Sequence, residues 1–430
     1  MDKRNFIKTL GALSVSSLVS ASELTKIKSV SLSLPNTKSD EELWTTVRSH
    51  YTLKDDYINL ESGYYSIIPN PVLEHFIKHV KHVNIEGSYY MRNDLNKNKD
   101  RVITELAKLV GSTSNQIGIT RNATESLDLV ISGFQWERGD EAIYAKQDYG
   151  TMKEMFEQIS SRYGVKTKIV SVPNHPKNDE EIVSIYESQI TDNTKLIMIC
   201  HMINITGQIL PVKKICEMAH SYGVEVMVDG AHCVGHFDFS IDEFNCDYYG
   251  SSLHKWLATQ LGAGLLYVNK KNTHKIWPLL ANGNTNKKDI KRLNHIGTHP
   301  VHTDLAISNS IDYTNWIGMK KKEKRMRYLQ RYWSDKLRTI ENVIVNTPED
   351  LNRSCGIGNV GLSNMSPSQM SNVLFEKYKI FTVAIDYANV KGCRITPNVF
   401  TTIDELDQFI GLKGFELCHD KDILFESTKA

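Results

Sequence analysis

Between Glu141 and Val268 short apolar runs alternate with segments of helical periodicity, and that alternation leaves few folds open. The runs Glu141-Ala-Ile-Tyr-Ala145, Thr167 to Val172, Lys195 to Cys200, Val224 to Asp229 and Leu265 to Val268 have strand length and are rich in Val, Ile and Tyr. Between the first four, Met152 to Tyr163 and Val212 to Tyr222 read as helices. A strand apolar along its whole length needs cover on both faces, so the pattern predicts an α/β fold with a mainly parallel sheet flanked by helices. Ligands in such sheets sit at the carboxyl ends of the strands, which directs the search for a site to the residues after each run.

The rest of the chain extends this frame. Asn70 to His82 reads as a helix with Pro71 at its first position. Another helix starts at Asn122, with Glu125 three residues later predicted to complete a capping box. A long helical pattern runs from about Asp312 to Leu337, and its charged run Lys320 to Arg325 reads as a solvated face. The stretch Val343 to Ala430 mixes short strands and helices, as a smaller C-terminal α+β domain would. The 430 residues thus divide into a large unit over 43–311 and a linking helix with the small domain over 312–430.

The 51 basic and 50 acidic side chains nearly cancel, which disfavours nucleic acid or an anionic surface as partner. Seven cysteines stand singly with no CxxC pair, so neither a zinc knuckle nor a disulfide framework is expected. No later segment has the length and apolarity of a membrane span. The first 22 residues have a charged start (Lys3, Arg4, Lys8), a weakly apolar run and small residues at Ser20 to Ser22. That is the layout of an export signal, and Lys3-Arg4-Asn5-Phe6 is one residue short of a twin-arginine motif. The expectation is a periplasmic or exported protein, cytoplasmic if the signal does not work, with residues 23–42 as a polar linker.

The chemistry gathers between Val226 and Val268. Asp229 ends a buried strand, an awkward place for a carboxylate unless a cation waits there. Gly230, Ala231 and His232 follow, and 26 residues after Asp229 stands Lys255, within Ser252-Leu-His-Lys255. A pyridoxal phosphate site asks for such a set: a lysine to join the aldehyde as a Schiff base, a carboxylate to keep the ring nitrogen protonated, and donors at a helix start for the phosphate. Asn122-Ala-Thr124, opening a capped helix, supplies the last.

These residues resemble class V of the pyridoxal phosphate aminotransferase superfamily, with a likeness to its isopenicillin N epimerase-like branch. The resemblance runs from Ile58-Asn-Leu-Glu-Ser-Gly-Tyr64 to Arg394-Ile-Thr-Pro397 and implies fold-type I. It implies Lys255 as the Schiff-base lysine and proton shuttle, Asp229 as the partner of the ring nitrogen, and His232 and Asn204 near the phenolic oxygen. Tyr149 would stack on the cofactor. Ala123, Thr124, Ser252 and His254 would hold the phosphate, with Thr298 lent by the neighbouring subunit of a homodimer. Arg394 would clamp the carboxylate of a small amino substrate with its bidentate fork.

Two histidine triplets, His75/His79/His82 and His295/His299/His302, have spacings that a metal could use, but neither carries an HExxH acid and no metal is expected. Sequons at Asn122, Asn204 and Asn364 are set aside, since glycans on the first two would block the cofactor loops. Within the resembled class, cysteine desulfurases carry a loop cysteine shortly before the arginine; here Val383 to Asn389 has none and Cys393 directly precedes Arg394. What remains is transamination or epimerisation at the α-carbon of an amino acid or peptide-like substrate. The alternatives are a lyase or decarboxylase tailoring a secondary metabolite, a non-catalytic binding protein, and a metal-dependent hydrolase on the same fold.

Overall fold

The structure, a computed structural model, describes residues 39–412. The expected export signal and most of the expected linker lie outside these residues. The linker ends sooner than its composition suggests. Ser39 caps a helix over Asp40–Ser49 in a reciprocal capping box with Glu42, and Asp40, Glu41 and Glu42 load its first turn with negative charge.

The strands in chain order are β1 (Ile58–Asn59), β2 (Ile117–Thr120), β3 (Glu141–Ala145), β4 (Lys166–Val170), β5 (Thr194–Cys200), β6 (Glu225–Asp229), β7 (Tyr248–Ser252), β8 (Gly264–Val268), β9 (Val343–Val345), β10 (Gly358–Leu362), β11 (Ile380–Phe381), β12 (Val383–Tyr387) and β13 (Val390–Ile395). Seven of them form one sheet in the order β2-β8-β7-β6-β5-β3-β4, parallel except where β8 meets its two neighbours. Alternate side chains divide between its two faces. Ile143, Ile197, Ile199, Val226 and Val228 pack under one set of helices, and Tyr144, Met198, Met227 and Leu266 under the other. The register aligns Cys200, Asp229 and Gly250 across β5, β6 and β7, so the end of β6 opens in the middle of the sheet.

A second sheet, β12-β13-β10-β9, is antiparallel. The amino-terminal segment is stitched to this unit rather than to the large sheet. β1 pairs in parallel with β11, and Glu61 bridges Thr396. The long helix expected from Asp312 to Leu337 is two helices, Val301–Ile317 and Met319–Leu337, broken at Gly318, whose φ of 88° suits glycine. The solvated-face reading of Lys320 to Arg325 fails at two positions. Lys322 is buried with its amine on the Trp256 carbonyl, and Arg325 lies over Trp44 and pairs with Glu41.

The helix Ala123–Gly133 is capped by Asn122 as expected, its side chain accepting from the Glu125 amide. Glu125 does not return to Asn122, however. Its carboxylate accepts from the amide and guanidinium of Arg121, a charged donor that outcompetes a neutral one. Gly264, opening β8, sits so close to this turn that a Cβ would fall 2.6 Å from the Asn122 nitrogen. The six cysteines among the described residues are free and buried. None of the described helices is long and apolar enough to cross a membrane.

Candidate active site

A cavity of about 340 Å³ opens over the carboxyl ends of β5, β6 and β7, at the low end of the size usual for small-molecule sites, about 300–1,000 Å³. Asp229, the last residue of β6, faces it. One of its oxygens, Oδ1, accepts from the Ala231 amide at 2.9 Å, and burial raises its pKa. Among the described residues no cationic side chain forms an ion pair with this carboxylate; the nearby charge that favours its ionised form is Lys255.

Lys255 follows β7 in the turn Leu253 to Ala258. Its amine is buried against His232 Nε2 at 3.0 Å. Burial lowers its pKa to about 8, with Arg394 acting in the same direction and Asp229 and Glu61 opposing. Lys255 and Asp229 line the same cavity.

The amino terminus of the helix Ala123–Gly133 also borders the cavity. Asn122, Ala123 and Thr124 line it, as do Ser252 and His254. The Ala123 amide donates to Ser252 Oγ at 2.9 Å, and His254 Nδ1 is buried with no hydrogen-bond partner. Tyr149 forms a side wall, 46% exposed, at the start of the helix Gly150–Tyr163. Asn204, just beyond β5, lines the cavity as well. Thr298 does not; it lies exposed on the loop before Val301, outside the cavity of its own chain.

Arg394 reaches the cavity from β13, but not with its fork free. Nε and Nη2 donate to the two oxygens of Glu61 at 3.1 and 2.6 Å, and Nη1 donates to the Asn204 carbonyl at 3.3 Å. Glu61 also accepts from the Tyr64 amide at 2.9 Å. The edge of the guanidinium expected to clamp a substrate thus serves to anchor the arginine. Only the outer Nη1 and Nη2 hydrogens remain for a ligand. Glu61 lies inside the quoted stretch Ile58 to Tyr64. The signal that could have singled it out is a carboxylate in a segment whose neighbours, Leu60 and Ser62, are fully buried.

Two further groups escaped the sequence reading. The Asp148 carboxyl accepts from the Ala145 amide and the Cys200 thiol, and burial, with Asp229 nearby, pushes it up to about 7. Trp256 donates from its indole to His232 Nδ1 at 3.2 Å. The histidine triplets disperse into protein contacts: His75 on the Pro71 carbonyl, His79 on Asn309, His299 on Asp304, His302 against Phe76. Among the described residues no group of three or more His, Cys, Asp or Glu converges for a metal.

The residues fit pyridoxal phosphate by the chemistry of their donors. A buried carboxylate without a hydrogen-bonded cation calls for a protonated ring nitrogen. A helix amino terminus beside Ser252 and the orphaned His254 nitrogen calls for an anion. A buried amine of lowered pKa between them is a nucleophile for an aldehyde.

Comparison with known proteins places the chain in a family. The family model for aminotransferase class V matches residues 61–384. The chain is 25% identical over 382 residues to isopenicillin N epimerase of Streptomyces clavuligerus, covering 85% of this chain and 96% of that one. It is 26% identical over 275 residues to a probable cysteine desulfurase of Halalkalibacterium halodurans, covering 61% and 66%. Among solved structures, the apo cysteine desulfurase of Thermococcus onnurineus NA1 superposes with a TM-score of 0.77 at 20% identity, covering 90% and 98%. A lysine-to-alanine variant of C-DES, with glycine covalently linked to its PLP cofactor, gives 0.75 at 18% identity, covering 85% and 98%.

Proposed function

The chain belongs to the aminotransferase class V family, and from that membership we propose that it is a pyridoxal phosphate enzyme acting at the α-carbon of an amino acid or of an amino-acid moiety in a peptide-like substrate. The observation that carries this reading is Lys255, a buried amine facing the same cavity as the Asp229 carboxylate and the helix start at Ala123. Pyridoxal phosphate, when bound, supplies an aldehyde that takes up an amine and a ring that accepts the electron pair left at the α-carbon.

The chain's own residues do the rest. Asp229 keeps the ring nitrogen protonated, which its buried carboxylate gains from as much as the ring does. Ala123, Thr124, Ser252 and His254 hold the phosphate through hydroxyl, amide and imidazole donors. Tyr149 covers the exposed ring face, and His232 and Asn204 orient the phenolic edge. Arg394 offers its outer hydrogens to a substrate carboxylate while Glu61 fixes its plane. Lys255, whose amine would join the cofactor's aldehyde, would also serve as the base that moves the α-proton.

Epimerisation would need a proton returned to the opposite face of the α-carbon, whereas transamination would leave the amino group on the cofactor and release a keto acid by hydrolysis. Likeness to the isopenicillin N epimerases supports the former. Cysteine desulfurase chemistry is disfavoured because Val383 to Asn389 holds no cysteine, and the one cysteine lining the cavity, Cys200, is a buried thiol tied to Asp148.

The test is the visible spectrum of the purified full-length protein before and after borohydride, followed by peptide mapping. A yellow band that bleaches and leaves a pyridoxyl group on Lys255 is the expected result; a protein that stays colourless with added pyridoxal phosphate refutes the reading. Incubation with amino acids and peptides in heavy water then separates the reactions. Deuterium at the α-carbon together with the inverted enantiomer and no keto acid marks epimerisation, and keto acid marks transamination.

A further inference from the structure

Lys255 meets one polar side chain at hydrogen-bond distance, His232, and the proton on that ring is decided by a neighbour. The Trp256 indole lies 3.2 Å from His232 Nδ1, and an indole nitrogen can only donate. Nδ1 must therefore present a lone pair. A neutral imidazole with its lone pair at Nδ1 carries its hydrogen at Nε2, the atom 3.0 Å from Lys255 Nζ. An N–H directed at an amine needs a lone pair there, and a protonated lysine has none.

We propose that Trp256 is a positioning residue that locks His232 in the Nε2–H tautomer and thereby holds Lys255 as the unprotonated amine, ready to capture an aldehyde. The proposal rests on the reading of Lys255 given above and adds to it how the lysine is kept reactive.

The indole is itself pinned. Its ring stacks on His236 with centroids 3.8 Å apart and planes 14° from parallel. The His236 tautomer is determined in the same way: Gly356 N–H donates to Nε2 at 2.8 Å, so Nδ1 carries the hydrogen it gives to the His232 carbonyl, also at 2.8 Å. Lys322 donates to the Trp256 carbonyl at 2.6 Å. His232, His236, Trp256, Lys322 and Lys255 are thus joined in one buried relay in which the donor of each hydrogen bond is determined.

The other charged groups around Lys255 do not impose this state. Asp229 and Glu61 favour its protonated form and Arg394 opposes it, while the buried Cys233 thiol, its pKa raised by burial, would add to the first only as a thiolate. Around His232, burial first and then the charge of Arg394 disfavour an imidazolium, and a protonated Lys255 would disfavour it further. Without the indole, the imidazole hydrogen could move to Nδ1. Nε2 would then accept from a lysine ammonium and stabilise it.

Two measurements on the full-length chain freed of cofactor test this. In a long-range proton–nitrogen spectrum of ¹⁵N-histidine protein, with His232 assigned by its loss in His232→Gln, the wild type is expected to show the Nε2–H tautomer. The Nδ1–H form or an imidazolium there overturns the proposal without recourse to any variant. The second readout is the pH dependence of the rate at which pyridoxal phosphate is trapped on Lys255 by borohydride, scored by peptide mass.

Trp256→Phe keeps the ring stacked on His236 but removes the donor. It is expected to raise the midpoint by about one pH unit and lower the rate at pH 7 about tenfold. In a His232→Leu background, whose side chain neither donates nor accepts, the same substitution is expected to leave the midpoint unmoved. An unchanged midpoint in Trp256→Phe alone, or an equal shift in both backgrounds, overturns it. Trapping on a residue other than Lys255 would instead remove the site reading, while the histidine spectrum still decides the tautomer.

Discussion

Removing the Glu61 carboxylate is expected to cost the protein far more than a surface substitution, and to do so through Arg394. The two side chains are 3% and 8% exposed and meet in two hydrogen bonds. Breaking a buried pair by deleting one member leaves the other charge desolvated, at about 3–5 kcal/mol. Replacing both members by apolar groups of similar volume is often close to neutral. Glu61→Leu should therefore lose about 3–5 kcal/mol, while the double variant Glu61→Leu/Arg394→Met recovers most of it. The assay is urea unfolding of the full-length protein without cofactor, so that ligand binding does not add to the apparent stability. Kinetics separate the second role. Both variants should lose affinity for substrates bearing a carboxylate, and Glu61→Gln, which puts an amide donor against guanidinium donors, should raise KM about tenfold, the equivalent of about 1.4 kcal/mol. A Glu61→Leu protein within about 1 kcal/mol of wild type, or a double variant no more stable than the single, would refute the anchoring argument.

Three other expectations follow from single groups. Lys255→Ala should fold, lose all turnover and leave no pyridoxyl peptide after borohydride; turnover in that variant sinks the mechanism. Lys322, buried with one acceptor, has its pKa lowered from 10.5 to about 8, so between those values the unfolded chain holds a proton the folded protein has released. Stability therefore rises with pH across that window, by about 3 kcal/mol for this group. Unfolding curves at pH 7 and pH 10.5 should show Lys322→Met stabilising at the lower pH and its advantage vanishing at the higher; a gain that grows with pH contradicts the sign. If Thr298 serves the neighbouring subunit's phosphate site, sedimentation should give a dimer and Thr298→Ala should release cofactor faster on dialysis, whereas a monomer that retains cofactor normally removes that assignment.

What the sequence made legible was local. The alternation of apolar runs and helices needs only neighbours along the chain, and it led to the seven-stranded sheet and the open ends of its strands. Asp229 announced itself because a carboxylate closing an apolar strand has few physical excuses, and Asn122 because a cap bonds three residues ahead. Partners far apart in sequence were not legible. Glu61 and Arg394 lie 333 residues apart, and each alone reads as an ordinary charge. Lys322 sat in a charged run whose period could not tell which lysine turns inward to the Trp256 carbonyl. Glu125 had the right spacing for a capping box, but an arginine at 121 offered its carboxylate a stronger donor.

The hairpin between β12 and β13 bears on the reaction more than any single catalytic group, because Lys255, Asp229 and Arg394 would be needed for every reaction under consideration. Its tip is Ala388-Asn389, both at positive φ, the backbone of a two-residue turn. The tip is tied to the loops beyond β3 and β4: Asn389 donates to Ser171 Oγ at 3.0 Å, Asn174 donates to the Asn389 carbonyl at 3.2 Å, and Gln147 donates to the Ala388 carbonyl at 3.3 Å. A nucleophile that must travel to a substrate sulfur needs a long, loosely bonded loop to carry it. A short turn bonded at three points, with no cysteine, is held in place instead. A fixed turn suits a reaction in which the only travelling species is a proton, the role proposed above for Lys255.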